Sequence, residues 1–295
     1  MKQINKILVP VDFSGISEAA LLTALTLVKK LDGELHLIHV ISFNPNSFAV
    51  LPETQIELSA LKDIEAAVSK KMKELNAFVK SEIGVEPHSI FVTGDVHNEI
   101  VNYSDQNEID LIVMGTHGVS GYKELFIGSN AHKVVTLSNV HVLTLQSNND
   151  GKGFKDILIP IGDSLLSREK VKIAIQIAKL FDATIHVVGI AETTGKNDLH
   201  KVEIKSKSLE VILKDEEVKY TRTIISASNT AQGALKIAEE KNCDLIIINS
   251  GQESKITGVF LGVFAQQIVN HSLIPVLNYK NSTGDYKIET PGFGI

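Results

Sequence analysis

An α/β protein built as two tandem, doubly wound parallel sheets, each of five strands with helices on both faces, is the fold class this sequence predicts. Three observations carry that prediction. The chain repeats itself: KILVPVDFS (6–14) aligns with DILIPIGDS (156–164), and LDGELHLIHV (31–40) with FDATIHVVGI (181–190), both at an offset of 150. Further on, IDLIVMG (109–115) aligns with CDLIIIN (243–249), LFIGSNAHKVV (125–135) with VFLGVFAQQIV (259–269), and VHVLTL (140–145) with IPVLNY (274–279), at an offset of 134. Within each copy, short apolar runs alternate with amphipathic segments of helical period, the pattern of strands covered on both faces by crossover helices. Finally, 295 residues, 43% of them apolar, suffice for two domains with a core each.

In order, ILVPV reads as a buried strand. SEAALLTALTLVKKL follows as a helix with Ala20, Leu21, Ala24, Leu25 and Val28 on one face and Ser17 as its cap. ELHLIHVI is the second strand, and a long amphipathic helix runs from just after Pro52 to about residue 82. HSIFV, HNEIVNYSDQN, DLIVM, SNAHKVVTLS and HVLTL then alternate strand and helix to close the unit. The second copy repeats the order with a shorter second helix, about 200–214. The drop in offset from 150 to 134 gives the first copy 16 extra residues, assigned to the Asn-, Pro- and Ser-rich stretch 42–52. Right-handed crossovers make each unit doubly wound. The expected division is 1–147 and 155–280, joined by the polar linker SNNDGKGFK (147–155), with 281–295 an extended tail. HVLTL (141–145) and PVLNY (275–279) are expected edge strands that need cover.

Composition excludes several classes of function. A net charge of −6 gives no footprint for nucleic acid or an anionic membrane. One cysteine, Cys243, permits no intrachain disulfide and reads as core. No stretch approaches the roughly 18 apolar residues of a membrane span, and MKQINKILVPVDFS lacks a signal peptide's apolar region. A cytoplasmic protein is expected. His36 and His39, three apart on a strand, point to opposite faces, and the spacing of the histidines nominates no metal site. No nucleophile–base or paired-carboxylate arrangement emerges from spacing, so no catalytic residue is assigned.

The loop in LIVMGTHGVSGYKELFIGSN (111–130) is the segment with the clearest chemical content. Glycines 115, 118 and 121 recur at intervals of three, and Gly128 precedes Ser129 and Asn130 at the start of a helix. Closely spaced glycines admit an anion to the backbone, and a helix start offers unsatisfied N–H groups to it. Equally, Gly115 ends a strand and Ser129 caps a helix in an ordinary turn. Neither G-x-x-x-x-G-K-[ST] nor G-x-G-x-x-G is present.

The segment MGTHGVSGYKELFIGSNAHKVV resembles the signature of the universal stress protein family, G-x2-G-x9-G-[ST], in Gly115, Gly118, Gly128 and Ser129. KILVPVDFSGISEAAL, LHLIHV, TGDVHNEIV and the closing HVLTL extend the likeness, and the repeat makes it a tandem. The resemblance implies an adenine nucleotide alpha hydrolase-like fold that binds ATP, or AMP or ADP, with Mg2+ as an accompanying ion. Carried over by position, it implicates Pro10, Val11, Asp12 and Val40 around adenine and sugar, and Met114, Gly115, His117, Gly118, Gly128, Ser129 and Asn130 around ribose and phosphates. Where many family members carry a basic residue after the second glycine this chain has Val119, leaving Lys123 as the nearest cation. In the second copy Gly115, Gly118 and Ser129 become Asn249, Gln252 and Val263, and Asp12 becomes Gly162, so that copy is expected not to bind nucleotide in the same way. The resemblance also implies pairing of domains through their closing strands, here within one chain, and a homodimer. A regulatory nucleotide-binding protein is the first reading; a nucleotide-free scaffold and slow ATP hydrolysis are the alternatives.

Overall fold

A computed structural model of the chain describes residues 4–42, 55–116, 127–146, 151–162, 169–249, 253–255 and 258–280. The first unit runs β1 (Lys6–Pro10), α1 (Gly15–Leu31), β2 (Glu34–Ser42), α2 (Gln55–Ile83), β3 (His88–Gly94), α3 (Val96–Gln106), β4 (Leu111–Gly115), α4 (Ser129–Leu137) and β5 (His141–Leu145). The second runs β6 (Asp156–Ile161), α5 (Glu169–Phe181), β7 (Thr184–Ala191), α6 (Lys196–Asp215), β8 (Lys219–Ser226), α7 (Thr230–Glu240) and β9 (Leu245–Asn249). A short hairpin of β10 (Glu253–Lys255) and β11 (Gly258–Phe260) follows, then α8 (Val263–His271) and β12 (Val276–Tyr279).

Ten strands form one continuous sheet in the order β3-β2-β1-β4-β5-β12-β9-β6-β7-β8. Each half is parallel with β1 or β6 at its switch point, the doubly wound arrangement expected. The halves meet where β5 and β12 pair antiparallel, Leu143 opposite Leu277, so each closing strand covers the other's edge as the resemblance implied. One helical layer (α1, α2, α5, α6) covers a core that spans both units, from Leu21, Leu37 and Val113 to Ile159, Ile173 and Ile247. The other (α3, α4, α7, α8) covers a second, including Ile38, Ile112, Val134, Ile246 and Ile268.

Four expectations change. The cap of α1 is Ser14, whose hydroxyl accepts from the Ser17 N–H at 3.2 Å, with Ser17 buried in the first turn. The helix starts earlier because Phe13 takes a left-handed φ of 63°, turning the chain directly out of β1. The first unit's surplus length is shared with a helix: α2 has 29 residues and α6 has 20. Within the polar linker, Phe154 is fully buried and meets Phe181 edge-on at 5.6 Å, and Gly153 (φ +85°) leaves room for the Phe181 ring. The hairpin β10–β11 was not legible beforehand. The tail 281–295 lies outside the described residues. Among the described residues, no helix is long and apolar enough to cross a membrane.

Candidate functional site

At the switch point of the first unit, the ladder between β1 and β4 runs only through Ile7–Leu111 and Leu8–Ile112. Beyond it no ladder pair joins Val9–Pro10 to Val113–Gly115, and in sheets of this kind the crevice outside the carboxyl ends at the switch point is where ligands bind. Val11 is held there from both sides: its N–H donates to the Ile38 carbonyl at 2.9 Å, and its carbonyl lies 2.7 Å from His39 Nδ1. Asp12 Oδ1 accepts from the Ser14 N–H at 3.0 Å and from the Ser14 hydroxyl, a turn that locks the carboxylate at the rim. The Phe13 ring packs at a tilt against His39, centroids 4.7 Å apart, with the Lys71 ammonium 4.9 Å from its ring.

On the α4 side, Thr116 ties the loop ends together. Its N–H donates to the Leu145 carbonyl at 2.8 Å, and its own carbonyl accepts from the Gly128 N–H at 2.7 Å. The chain therefore leaves β4 and returns to the start of α4 within one hydrogen bond. Gly128 is the N-cap of α4, and among the described residues no side chain caps that terminus. Ser129 and Asn130 are exposed in the first turn, so N–H groups and the positive end of the helix dipole face outward. Val40, Met114 and Ile127 belong to the same apolar cluster beneath it. Nine of the eleven residues expected here (Pro10, Val11, Asp12, Val40, Met114, Gly115, Gly128, Ser129 and Asn130) are thus on strand ends, turns and a helix start around one end of the sheet. His117 and Gly118, with Val119 and Lys123, lie outside the described residues.

Gly115 has a packing cause as well. A Cβ there would collide with Cγ2 of Ile16 in the first turn of α1. A cleft of about 390 Å³ opens on the other helical layer, between α1 and α2, lined by Val11, Phe13, Ser17, Lys71, Glu74 and Phe78. It shares Val11 and Phe13 with the crevice but none of the α4 side.

The second unit differs at the matching positions. Val263, the counterpart of Ser129, is 71% exposed at the start of α8 and offers no side-chain donor. Lys170 in the first turn of α5, the counterpart of Ala20, is buried and donates to the Pro160 carbonyl at 2.6 Å, at the end of β6. Burial lowers its pKa from the ordinary 10.5 to about 7. Nothing in the periodicity distinguishes such a lysine from a solvated one in a first turn. Cys243 is buried, and burial pushes its thiol up to about 12, so it is core, as its position before a strand suggested.

The profile of the universal stress protein family matches residues 3–146 and again 153–280. The chain belongs to the universal stress protein family. Among relatives in that family, it is 32% identical over 155 residues to universal stress protein YxiE of Bacillus subtilis, covering 48% of this chain and 99% of that one. To universal stress protein MJ0531 of Methanocaldococcus jannaschii it is 34% identical over 145 residues, 48% of this chain and 82% of that one. Each match spans about half of this chain, as one unit of a tandem would. A crystal structure of a universal stress protein from Archaeoglobus fulgidus shares the fold across both units, with a TM-score of 0.75 at 21% identity over 95% of this chain and 99% of that one.

Proposed function

We propose that the first unit binds ATP or another adenine nucleotide (AMP or ADP), accompanied by Mg2+ where the polyphosphate calls for it, as the regulatory ligand of a cytoplasmic stress-response protein. One observation carries the reading. The start of α4, capped by Gly128 with no side-chain acceptor among the described residues, is bonded to the end of β4 beside the apolar Val40 and Met114, at the switch point. Phosphate would take the N–H groups and the Ser129 hydroxyl, while adenine would lie toward Val40 and the β1 end. The second unit, with Val263 for Ser129, is read as the partner that completes the sheet.

Acid extraction of the purified protein followed by nucleotide chromatography, with calorimetric titration by Mg-ATP, tests this. A released adenine nucleotide, or binding that weakens about tenfold in Ser129→Ala, is expected, the loss corresponding to one hydrogen bond to a charged group. Asn249→Ala in the second unit should leave affinity unchanged. No released nucleotide and no heat on titration would sink the reading in favour of a scaffold, which the β5–β12 pairing favours in its own right. Hydrolysis would need a group at the phosphates, and Asp12 is the carboxylate at the β1 end; phosphate release lost in Asp12→Ala would establish it. Because β5 and β12 cover each other, a homodimer of this chain would have to use another surface.

A further inference from the structure

His36 and His186 occupy the same place in the two units, the third residue of β2 and of β7, yet their surroundings differ. His186 has both ring nitrogens engaged: Nδ1 lies 2.7 Å from Thr221 Oγ1 and Nε2 lies 2.8 Å from Asp156 Oδ1. At the matching positions the first unit has Lys6 for Asp156 and Glu34 for Thr184, while His88 takes the place of Thr221 as the register partner on the next strand. His36 is 5% exposed, its Nδ1 is 3.0 Å from Tyr103 Oη, and its Nε2 is buried with no hydrogen-bond partner among the described residues. That atom looks toward Glu34, whose Oε2 is 3.8 Å away, and the His88 ring stacks on its own at 4.7 Å.

We propose that Glu34, His36 and His88 form a divalent-metal site of the zinc type. Glu34 and His36 are two apart on β2 and His88 is the register partner of His36, so all three side chains share one face of the sheet. One ligand atom from each lies within 4.8 Å of the others. Around Zn2+, with bonds of about 2.0–2.1 Å, such atoms stand roughly 3.3 Å apart. Glu34 and His88 are exposed and can close by about that difference onto His36, which the sheet holds fixed. Two imidazoles and a carboxylate suit zinc and leave a fourth position for water. Tyr103 supplies the outer support: accepting from Nδ1–H, its hydroxyl sets the tautomer that presents the Nε2 lone pair to a metal. Lys6 is the cation on this side, and its ammonium is drawn off to the Asn107 carbonyl at 3.3 Å. The site lies where β2 and β3 begin, the opposite end of the sheet from the nucleotide crevice, and is independent of it.

Equilibrium dialysis of the full chain against Zn2+, paired with the visible absorption of the Co2+ form, tests the proposal. One retained ion per chain is expected, with d–d bands of a low-coordinate Co2+ site. Affinity should fall at least about tenfold in His88→Ala and in Glu34→Gln, both surface changes that leave the core intact, and roughly tenfold in Tyr103→Phe, which keeps all three ligands. Either no retained ion, or one retained with undiminished affinity in the His88→Ala, Glu34→Gln double variant, would overturn it, the latter assigning the metal to other histidines of the chain.

Discussion

At Gly115 two explanations converge on one missing side chain. The strand end must clear Ile16 as α1 begins, and the nucleotide proposed for the first unit would lie against the same glycine. The two demands separate experimentally without nucleotide. Gly115→Ala should destabilise the ligand-free protein by about 1–3 kcal/mol, read from the denaturant midpoint, because the added methyl overpacks the turn. Combining it with Ile16→Ala should recover much of that loss relative to Ile16→Ala alone. The helix start at Gly128 and Ser129 was legible in the sequence because the residue types that begin a helix are local signals. The packing contact of Gly115 was not, since it is made with a residue 99 positions away. The same limit applies to the metal ligands: the pair Glu34-x-His36 is visible on one strand, but only the β2–β3 register brings His88 alongside.

Among the elements, α5 carries the most unusual first turn. The folded chain holds the Lys170 amine neutral above about 7, where burial has moved it, while in the unfolded chain it keeps its proton up to about 10.5. Between those values unfolding takes up a proton, so stability rises with pH; below about 7 the amine is charged in both states and the full cost of burying the charge is present. Lys280, lowered by burial to about 8, adds a contribution of the same sign over a narrower range. Chemical denaturation between pH 7 and 10 should therefore show a positive slope, of up to roughly 1.4 kcal/mol per pH unit from Lys170, that Lys170→Met removes while the Lys280 share remains. Most strand and helix identities were readable because apolar runs and helical period survive in them, whereas the three-residue strands of the β10–β11 hairpin are too short to show either. Element ends were less so: Ser14 replaces Ser17 as the cap of α1 because Phe13 adopts a conformation that bulky side chains seldom take.

Across the whole molecule, an approximate two-fold symmetry relates the units and is enforced by reciprocal capping. Gln146, just after β5, donates to the Asn270 carbonyl at 3.2 Å at the end of α8, and Lys280, just after β12, donates to the Thr136 carbonyl at 3.1 Å near the end of α4. Offsets in the sequence place those two residues at equivalent positions, though nothing in the sequence says that each serves the other's helix. With the sheet, the core and the caps crossing the boundary, thermal unfolding should be a single transition. Leu277→Pro, which interrupts β12, should split it into two calorimetric transitions. The shared boundary also orders events during synthesis. β5 leaves the ribosome more than a hundred residues before β12, its antiparallel neighbour, so the first unit completes its parallel sheet while one edge still awaits that strand. For that interval the nascent protein presents an unpaired edge strand carrying Val142, Leu143 and Leu145, and two chains translated close together on one message would be competing templates for it.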